Sequence, residues 1–383
     1  MKKQTTRLFL FAGLLVFVLL GFVTTLHTIG TCNIPKLVCS EATEREALIN
    51  DMLPGKPVLL APFQLTNKAI GKRYYPEDSY VIDDYGMILK GSPNENAEYT
   101  GENVLKLRQL CERQGMNFLM VIVPGKPLYD EDITSFGVSC TRNSYADYVK
   151  LVLEEQGVSV LDLRDAYRSE FGEDPDRSDL FYKTDHHWNT DAGLMAARLL
   201  ANELNERFDQ NLAVDHIDED KIGREVYRDA FVGELGMKAM GKYNGRDDFI
   251  RRYPLYDTHL RFISPQRNFD ETGDFDILCN DELLENLPID YGTNLYYYYL
   301  YGNNCRDEIF NQDVDAGDIL LIKDSFCTPV APFLALTCKH LTLWDMRIDT
   351  NITTWIKEHP QTETVVVFYT LSSVGNSTFN DFH

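Results

Sequence analysis

The chain has 383 residues, of which 44% are hydrophobic and 25% are charged, enough for a sizeable core in one large domain or two smaller ones. Its formal net charge is −22, and no basic stripe stands out along the sequence. Such a surface repels nucleic acid and anionic lipid, so the composition argues against a DNA- or RNA-binding protein.

The first feature along the chain is an apolar stretch, residues 8–26, which contains no charged residue and is about long enough to cross a bilayer as a helix. Lys2, Lys3 and Arg7 precede it, so the positive-inside rule places the N-terminus in the cytoplasm and the remaining chain outside. A cleaved signal peptide is the alternative, but no convincing A-x-A cleavage site follows. We therefore predict a transmembrane signal-anchor within residues 1–27.

A stem over residues 28–80 leads into the domain, and from about residue 103 helical and strand-like patterns alternate. Continuous apolar strands that alternate with helices indicate a mainly parallel sheet covered on both faces. Asn189 or Thr190 caps one of these helices, and Asp191 lies in its first turn. The predicted strands are residues 117–123, 158–163, 318–324, 340–345 and 363–369, and the predicted helices are residues 103–114, 145–157, 190–204, 328–338 and 351–359.

Residues 207–315 interrupt this alternation of strands and helices, because they are rich in aromatic residues and turns. We predict that they form an insertion or lid-like region within a domain that spans residues 81–383. The tyrosine-rich segment 294–304 suits either stacking on sugar rings or a half-buried strand, and the strand is the favoured interpretation.

The segment 183–193, KTDHHWNTDAG, carries the most specific chemistry. If residues 184–188 are extended, Asp185 and His187 point the same way and His186 points the other way. A carboxylate two residues before a histidine can orient the imidazole and stabilise its protonated form, which leaves the other ring nitrogen to deprotonate a serine. Spacing alone also fits satisfied loop histidines. A metal site is less favoured, because no further ligand pattern lies nearby.

Ser325 is the candidate partner, because it directly follows the strand predicted at residues 318–324. Reactive groups of parallel sheets lie at the carboxyl ends of strands, and a sharp strand-to-helix turn would expose the hydroxyl. Backbone amides near Phe326 could then hold an oxyanion. Considered alone, a serine after a strand is more often an ordinary helix cap, and that interpretation is favoured for Ser325 by itself. Lys126 ends the strand at residues 117–123 near the same edge, and a structural or solvent-facing role is favoured for it.

The eight cysteines form an even set in a segment predicted to lie outside the cell, so some disulfides are expected there. Cys32 and Cys39 are close enough in sequence to form a disulfide that cross-links the stem. Several of the others suit buried thiols. No C-x-x-C pair occurs, which argues against a structural zinc site or a thioredoxin-type motif.

Taken together, these motifs resemble the DHHW protein family, whose members are relatives of the alginate O-acetylation proteins with SGNH-hydrolase-like domains. The resemblance rests on TDHHWNTDAG (184–193), LLIKDSFCTPVAPFLA (320–335) and LWDMR (343–347). It extends to DYGMILKG (84–91), FLMVIVPGKPLYDED (118–132) and FVGELGMKAMGKYNGRDDF (231–249). It implies an SGNH-hydrolase-like α/β/α domain.

The resemblance also assigns roles to residues at the matching positions. It implies Ser325, His187 and Asp185 as catalytic residues and Arg347 as a substrate or oxyanion contact. Phe326, through its amide, and Trp188, as a wall of the pocket, are further candidates. One departure is Lys323, which stands where the alginate relatives have glycine before Asp-Ser, so the turn lacks the backbone freedom of glycine.

The expected function follows from these roles. Ser325 takes an acetyl group, which then passes to a sugar hydroxyl in an O-acetyltransferase or to water in an esterase, and the motif does not separate the two. The anchor and the resemblance favour transfer to a cell-surface or exported polysaccharide outside the cytoplasmic membrane, with acetyl groups supplied by a membrane acyltransferase partner. No cofactor and no metal are expected. A non-catalytic glycan-binding or scaffolding subunit is the alternative from another class.

Overall fold

A computed structural model describes residues 66, 69, 71–75, 80–91, 97–171, 177–239, 245–289 and 294–382. The predicted anchor and most of the predicted stem lie outside these residues. Within the described ranges, no helix is long and apolar enough to span a membrane.

Strands and helices alternate as predicted over most of the described chain. The strands are β1 (Tyr74–Tyr75), β2 (Tyr80–Ile82), β3 (Ile88–Lys90), β4 (Asn117–Val123), β5 (Val160–Asp162), β6 (Ile222–Phe231), β7 (Asp247–Pro254), β8 (Leu260–Ser264), β9 (Phe269–Gly273), β10 (Asp307–Asn311), β11 (Asp318–Lys323), β12 (His340–Trp344) and β13 (Thr364–Thr370). The helices are α1 (Ala97–Arg113), α2 (Glu131–Thr134), α3 (Arg142–Glu155), α4 (Leu163–Phe171), α5 (Thr190–Phe208), α6 (Glu234–Ala239), α7 (Glu282–Glu285), α8 (Ala331–Ala335), α9 (Ile352–Glu358) and α10 (Leu371–Val374). Short 3₁₀ helices lie at Val214–Ile217, Glu219–Lys221, Pro265–Arg267, Phe275–Leu278, Leu295–Tyr298 and Ser325–Cys327.

An eight-stranded mixed sheet forms the centre of the fold, in the order β5-β4-β13-β11-β12-β10-β8-β9. The first five strands are parallel to one another, whereas β10, β8 and β9 add antiparallel pairings. The prediction of a mainly parallel sheet therefore describes one half of the sheet and needs correction for the other. The antiparallel half comes from residues 260–311, where the short link between β8 and β9 permits only a hairpin.

Helices cover both faces of the parallel half. Because side chains alternate along a strand, Leu119 and Val121 of β4 face a core shared with α5 and α8, while Met120 and Ile122 face a second core shared with α1 and α3. Every residue of β13 is buried, as a strand covered on both sides requires. The observed architecture is thus an α/β fold with a mixed central sheet.

The parallel arrangement brings several strand ends to one edge of the sheet. β4 runs into Pro124-Gly125-Lys126, β11 runs into Asp324-Ser325, and β13 runs directly into α10. Two smaller sheets, β1-β2-β3 and β6-β7, complete the described topology. The first of them borders the segment of interest, because the Ile88 amide donates to the Lys183 carbonyl at 3.1 Å.

The described cysteines correct the expectation of disulfides. All six of them are buried free thiols: Cys111, Cys140, Cys279, Cys305, Cys327 and Cys338. They lie in apolar surroundings, where a small side chain packs well, and burial raises the pKa of the Cys327 thiol to about 12. Cys32 and Cys39 lie outside the described residues.

Candidate active site

Ser325 occupies the sharp turn that follows β11, as its position in the sequence predicts. It is partly exposed and begins a 3₁₀ helix that Asp324 caps: Asp324 Oδ1 accepts the Phe326 amide at 2.9 Å. The other oxygen, Oδ2, accepts the amide and hydroxyl of Thr370, both at 2.8 Å, and the Ser373 hydroxyl at 2.6 Å. Asp324 therefore ties the serine turn to the end of β13.

A hydrogen-bonded chain links Ser325 to a buried carboxylate. His187 Nε2 lies 2.8 Å from Ser325 Oγ, and His187 Nδ1 lies 2.6 Å from Asp185 Oδ1. Asp185 is fully buried, and His187 is 2% exposed. Because an ionised carboxylate only accepts hydrogen bonds, Nδ1 carries a proton and Nε2 presents its lone pair to the hydroxyl. The structure thus brings together the three residues that the sequence singled out as a catalytic set.

The surroundings of Asp185 keep it ionised. Burial would raise the pKa of this carboxyl, but the neighbouring His187 and the hydrogen bonds it receives lower it well below its ordinary value. Its Oδ2 accepts the Glu234 amide at 2.9 Å and the Asn294 side-chain amide at 2.6 Å, and Oδ1 also accepts the His187 amide at 3.1 Å. Neither Glu234 nor Asn294 was singled out from the sequence, because each lies far from Asp185 along the chain.

Tyr296 connects the base to the nucleophile turn. Its ring stacks on His187 at 3.7 Å between centroids and 10° between planes, and its hydroxyl donates to the Ser325 carbonyl at 2.9 Å. The favoured interpretation of this tyrosine-rich segment as a strand is wrong. Asn294 caps a 3₁₀ helix here by accepting the Tyr296 amide at 2.9 Å, and a capping residue before the aromatic run is the signal that indicates a helical start.

Trp188 and Phe326 are placed differently from their predicted roles. Trp188 is fully buried, and its indole N–H donates to the Phe326 carbonyl at 2.8 Å, so it supports the serine turn from behind rather than lining a pocket. The Phe326 amide already donates to Asp324 Oδ1. In this conformation it is therefore engaged and not aimed at a developing oxyanion.

Arg347 lies outside the hydrogen-bonded chain. Its guanidinium donates to both oxygens of Asp345, at 2.9 and 2.5 Å, and lies 4.9 Å from the centre of the Phe379 ring. The side chain remains 37% exposed. Arg347 is thus a fixed, partly exposed cation, and within the described residues it makes no hydrogen bond to Ser325, His187 or Asp185.

His186 lies beside the hydrogen-bonded chain and does not point away from it, so the prediction made for an extended segment is wrong. Residues 183–187 form bends, and His186 Nδ1 lies 3.5 Å from Asp185 Oδ1. The His186 ring lies 3.8 Å from that of His187, and its Nδ1 lies 3.4 Å from Glu234 Oε2. Burial and the neighbouring His187 lower the pKa of His186 to about 4. Ligand atoms of Asp185, His186 and His187 lie within 4.8 Å of one another, but the Asp185 oxygens and both His187 nitrogens already have protein partners. A metal would have to displace those bonds, so the set fits a metal poorly.

A cleft of about 300 Å³ lies beside this arrangement and is bordered by His186 and Phe326. Its walls come from the ends of β3, β4 and β13 and from the starts of α3 and α6. Positively charged side chains outnumber acidic ones along it, although the chain as a whole is strongly acidic. The charged residues that line the cleft are Lys90, Lys126, Arg142, Lys238 and Glu234.

Comparisons with known proteins agree with the resemblance predicted from the sequence. Residues 88–253 match the family model described as SGNH hydrolase-like domain, acetyltransferase AlgX. This match contains Asp185 and His187 and ends before Ser325. The predicted resemblance to SGNH-hydrolase-like acetyltransferases is confirmed over that part of the chain. None of the curated proteins matches the sequence.

Solved structures share the fold. Bacillus cereus PatB1, determined with a sulfonyl adduct, superposes with a TM-score of 0.64 at 17% identity and covers 78% of this chain and 96% of its own. A DHHW family protein from Eubacterium siraeum superposes with a TM-score of 0.58 at 15% identity and covers 81% of this chain and 96% of its own. At these identities the likeness establishes the fold.

Proposed function

We propose that the chain is an extracytoplasmic serine-dependent O-acetyltransferase that modifies a cell-surface or exported polysaccharide through an acetyl-Ser325 intermediate. The observation that carries this proposal is the continuous chain of hydrogen bonds from the buried Asp185 carboxylate through His187 to the partly exposed Ser325 hydroxyl. The family model, whose description is an acetyltransferase, supports the reaction class. The apolar stretch at residues 8–26 supports the location.

In the first half-reaction, Ser325 Oγ attacks the carbonyl carbon of an acetyl donor. His187 Nε2, 2.8 Å from Oγ, accepts the hydroxyl proton. Asp185 stabilises the resulting imidazolium through Nδ1, and the bond to the leaving group then breaks as His187 returns the proton to it. The products are acetyl-Ser325 and the protonated leaving group.

The tetrahedral intermediate needs hydrogen-bond donors at its oxyanion. Because the Phe326 amide is bound to Asp324, we assign this task to the amide of Ser325 itself, for which the described residues contain no bonded acceptor. Arg347 keeps a proposed role as a substrate contact, with Asp345 fixing the plane of its guanidinium.

In the second half-reaction, a sugar hydroxyl attacks the acetyl-serine. His187 accepts the hydroxyl proton and then delivers it to Ser325 Oγ as the serine ester bond breaks, which leaves an acetylated sugar and the free enzyme. The cleft beside His186 and Phe326 offers space for the acceptor. Attack by water in the same position would make the chain a carbohydrate O-acetylesterase. The acetyl donor in the cell is proposed to come from a membrane acyltransferase partner.

The test uses the full-length chain in detergent, p-nitrophenyl acetate as donor and a panel of neutral and acidic oligosaccharides as acceptors. The expected result is an acetylated oligosaccharide with the wild type and none with Ser325→Ala. Ser377→Ala, which changes an exposed serine outside the site, serves as the matched control and retains activity.

The other outcomes separate the alternatives. Release of acetate without acetylated sugar would replace the transferase with an esterase. Equal activity of Ser325→Ala and the wild type would overturn the serine mechanism, and glycan binding without any turnover would favour a scaffolding subunit.

A further inference from the structure

Lys126 lies beneath the segment that carries Asp185 and His187. It is 3% exposed, and its ammonium donates to the carbonyl oxygens of Asp185 at 2.5 Å and Lys183 at 2.9 Å. Lys126 reaches this position because Pro124 and Gly125 turn the chain at the end of β4. A buried ammonium therefore holds two carbonyls of the segment from one side.

Asp247, the first residue of β7, holds the same segment through its amides. Its Oδ1 accepts the Lys183 amide at 2.6 Å, and its Oδ2 accepts the Thr184 amide at 2.8 Å and also the Thr184 hydroxyl. Asp247 is 7% exposed. The backbone of residues 183–185 is thus held by one buried cation at its carbonyls and one buried anion at its amides.

We infer that Lys126 and Asp247 form a charge-paired clamp that positions Asp185 and His187 for the acyl transfer proposed above, and that the charge of Lys126 contributes to the pH dependence of turnover. The inference rests on the proposed function, since it assigns a positioning role within that site. Lys126 and Asp247 are positioning residues and not catalytic ones, because they bond the backbone of the segment and not the reacting atoms.

The electrostatics of the clamp agree with its geometry. Burial lowers the pKa of Lys126 to about 7, against the opposing pull of Asp247, Asp185 and Asp83. Burial raises the pKa of Asp247, against the hydrogen bonds of Thr184 and Lys183 and the charge of Lys126. Each member of the pair therefore favours the charged form of the other.

Loss of the Lys126 charge has a predictable effect on the base. A neutral amine still has two N–H groups for the two carbonyls, but Asp185 then lacks a neighbouring positive charge. The potential at the site becomes more negative, so the pH profile of turnover moves to higher pH. The other charged or titratable groups around Lys126 and the adjoining cleft are Asp83, Lys90, Arg142, His186, Glu234 and Lys238.

The experiment compares the pH dependence of kcat and KM for p-nitrophenyl acetate in the full-length chain, between about pH 5 and about pH 9. For Lys126→Met we expect kcat to fall by about ten- to a hundredfold with KM little changed, because the segment is less well positioned. We also expect the acidic limb of the kcat profile to move to higher pH. Lys126→Arg keeps the charge and restores the position of that limb, even where its kcat stays low.

One control variant and one alternative variant separate a loss of positioning from a general loss of stability. Lys150→Met removes a lysine that is 27% exposed and pairs with Asp162, so it lowers stability without moving the pH profile. Lys126→Gln keeps an N–H donor without the charge and replaces the Met variant if that variant does not fold. A Lys126→Met or Lys126→Gln profile that coincides with the wild-type profile overturns the inference.

Ser325→Ala is measured in the same series to distinguish the two proposals. If Ser325→Ala keeps the wild-type rate, the proposed function fails. If Ser325→Ala is inactive while Lys126→Met retains the wild-type kcat and pH profile, only the clamp fails.

Discussion

The two halves of the proposed site are supported in different ways. The Asp185–His187 half is at most 2% exposed and is surrounded by buried polar partners, among them Lys126, Asp247 and Asn294. The Ser325 half is partly exposed and is held chiefly by Asp324, its neighbour in sequence. One half is a buried polar network, and the other is a capped turn at the border of a cleft.

This difference reflects what each half is proposed to do. A base that must keep one orientation benefits from a network in which every polar group has a partner, because unpaired buried groups are costly. A nucleophile must meet substrates, so its turn has to reach solvent. Among the residues that support Ser325 and His187, we therefore expect changes in the buried half to affect turnover most, and changes around the turn to affect mainly stability.

Apart from removal of Ser325 or His187 itself, the largest effect on turnover is expected for Asp185→Asn. The asparagine cannot accept all the hydrogen bonds that the carboxylate receives, and it favours the wrong tautomer of His187, so kcat for an acetyl ester should fall by about 10³- to 10⁴-fold. Steady-state kinetics on the full-length chain measures this. Asp313→Asn, an acidic residue paired with the exposed His259, is the matched control. A fall of less than about tenfold would mean that the buried half does not orient the base.

For Asp324→Ala at the serine turn, a smaller effect is expected, and it falls on the stability of the fold. The change leaves the amides of Phe326 and Thr370 and the hydroxyls of Thr370 and Ser373 without their acceptor, which should lower the free energy of unfolding by about 3 kcal/mol. Urea denaturation measures the loss. Asp324→Asn keeps one acceptor oxygen and should lose less. Equal stability of Asp324→Ala and the wild type would show that the cap does not hold the turn.

Tyr296→Phe tests the connection between the two halves. The variant keeps the ring that stacks on His187 and loses the hydrogen bond to the Ser325 carbonyl, at a cost of about 1 kcal/mol. Turnover should therefore fall by less than about tenfold. Tyr148→Phe, at an exposed position of α3, is the control. A fall of about a hundredfold or more would place the Tyr296 hydroxyl in the chemistry itself.

The smallest effect on turnover is expected for His340→Gln, which lies in neither half. Burial would lower the pKa of His340, but Asp318 and Glu308, at 3.0 and 3.2 Å from its nitrogens, raise it to about 9. Since this value lies above the unfolded value of about 6.5, the stabilisation is fully present below about pH 6.5. It is lost as the pH rises through about 9.

The variant should therefore remove this pH dependence of stability. The difference in unfolding free energy between wild type and His340→Gln shrinks as the pH rises, and activity per folded molecule stays the same. A difference that is independent of pH would contradict the assignment of charge to His340.

The same contrast explains how far the sequence predicts the site. The serine turn depends on residues next to Ser325, and Asp185 and His187 are two positions apart, so local motifs make all three candidates and the family resemblance joins them into one set. The supports of the buried half come from residue 126, residue 247 and residues 294–296, and no local pattern brings such distant segments together.

The fold shows a similar limit. The parallel strands are continuous apolar runs and are predicted from sequence, whereas β9 is mostly exposed and polar and was hidden in the predicted insertion. β8 and β9 add to the sheet through hairpin pairing, which the rule for continuous apolar strands does not detect. The antiparallel half of the sheet was therefore missed because an exposed, polar edge strand lacks the continuous apolar run that marks a buried strand.

The central claim is that Ser325 carries the acetyl group, and peptide mass spectrometry tests it most directly. The full-length chain is incubated with p-nitrophenyl acetate, quenched in acid and digested, and the peptide that contains Ser325 is examined in the wild type, Ser325→Ala and His187→Ala. We expect one acetyl group on Ser325 in the wild type and none on that peptide in either variant. A wild-type peptide without acetyl, or the same labelling in His187→Ala, would contradict it.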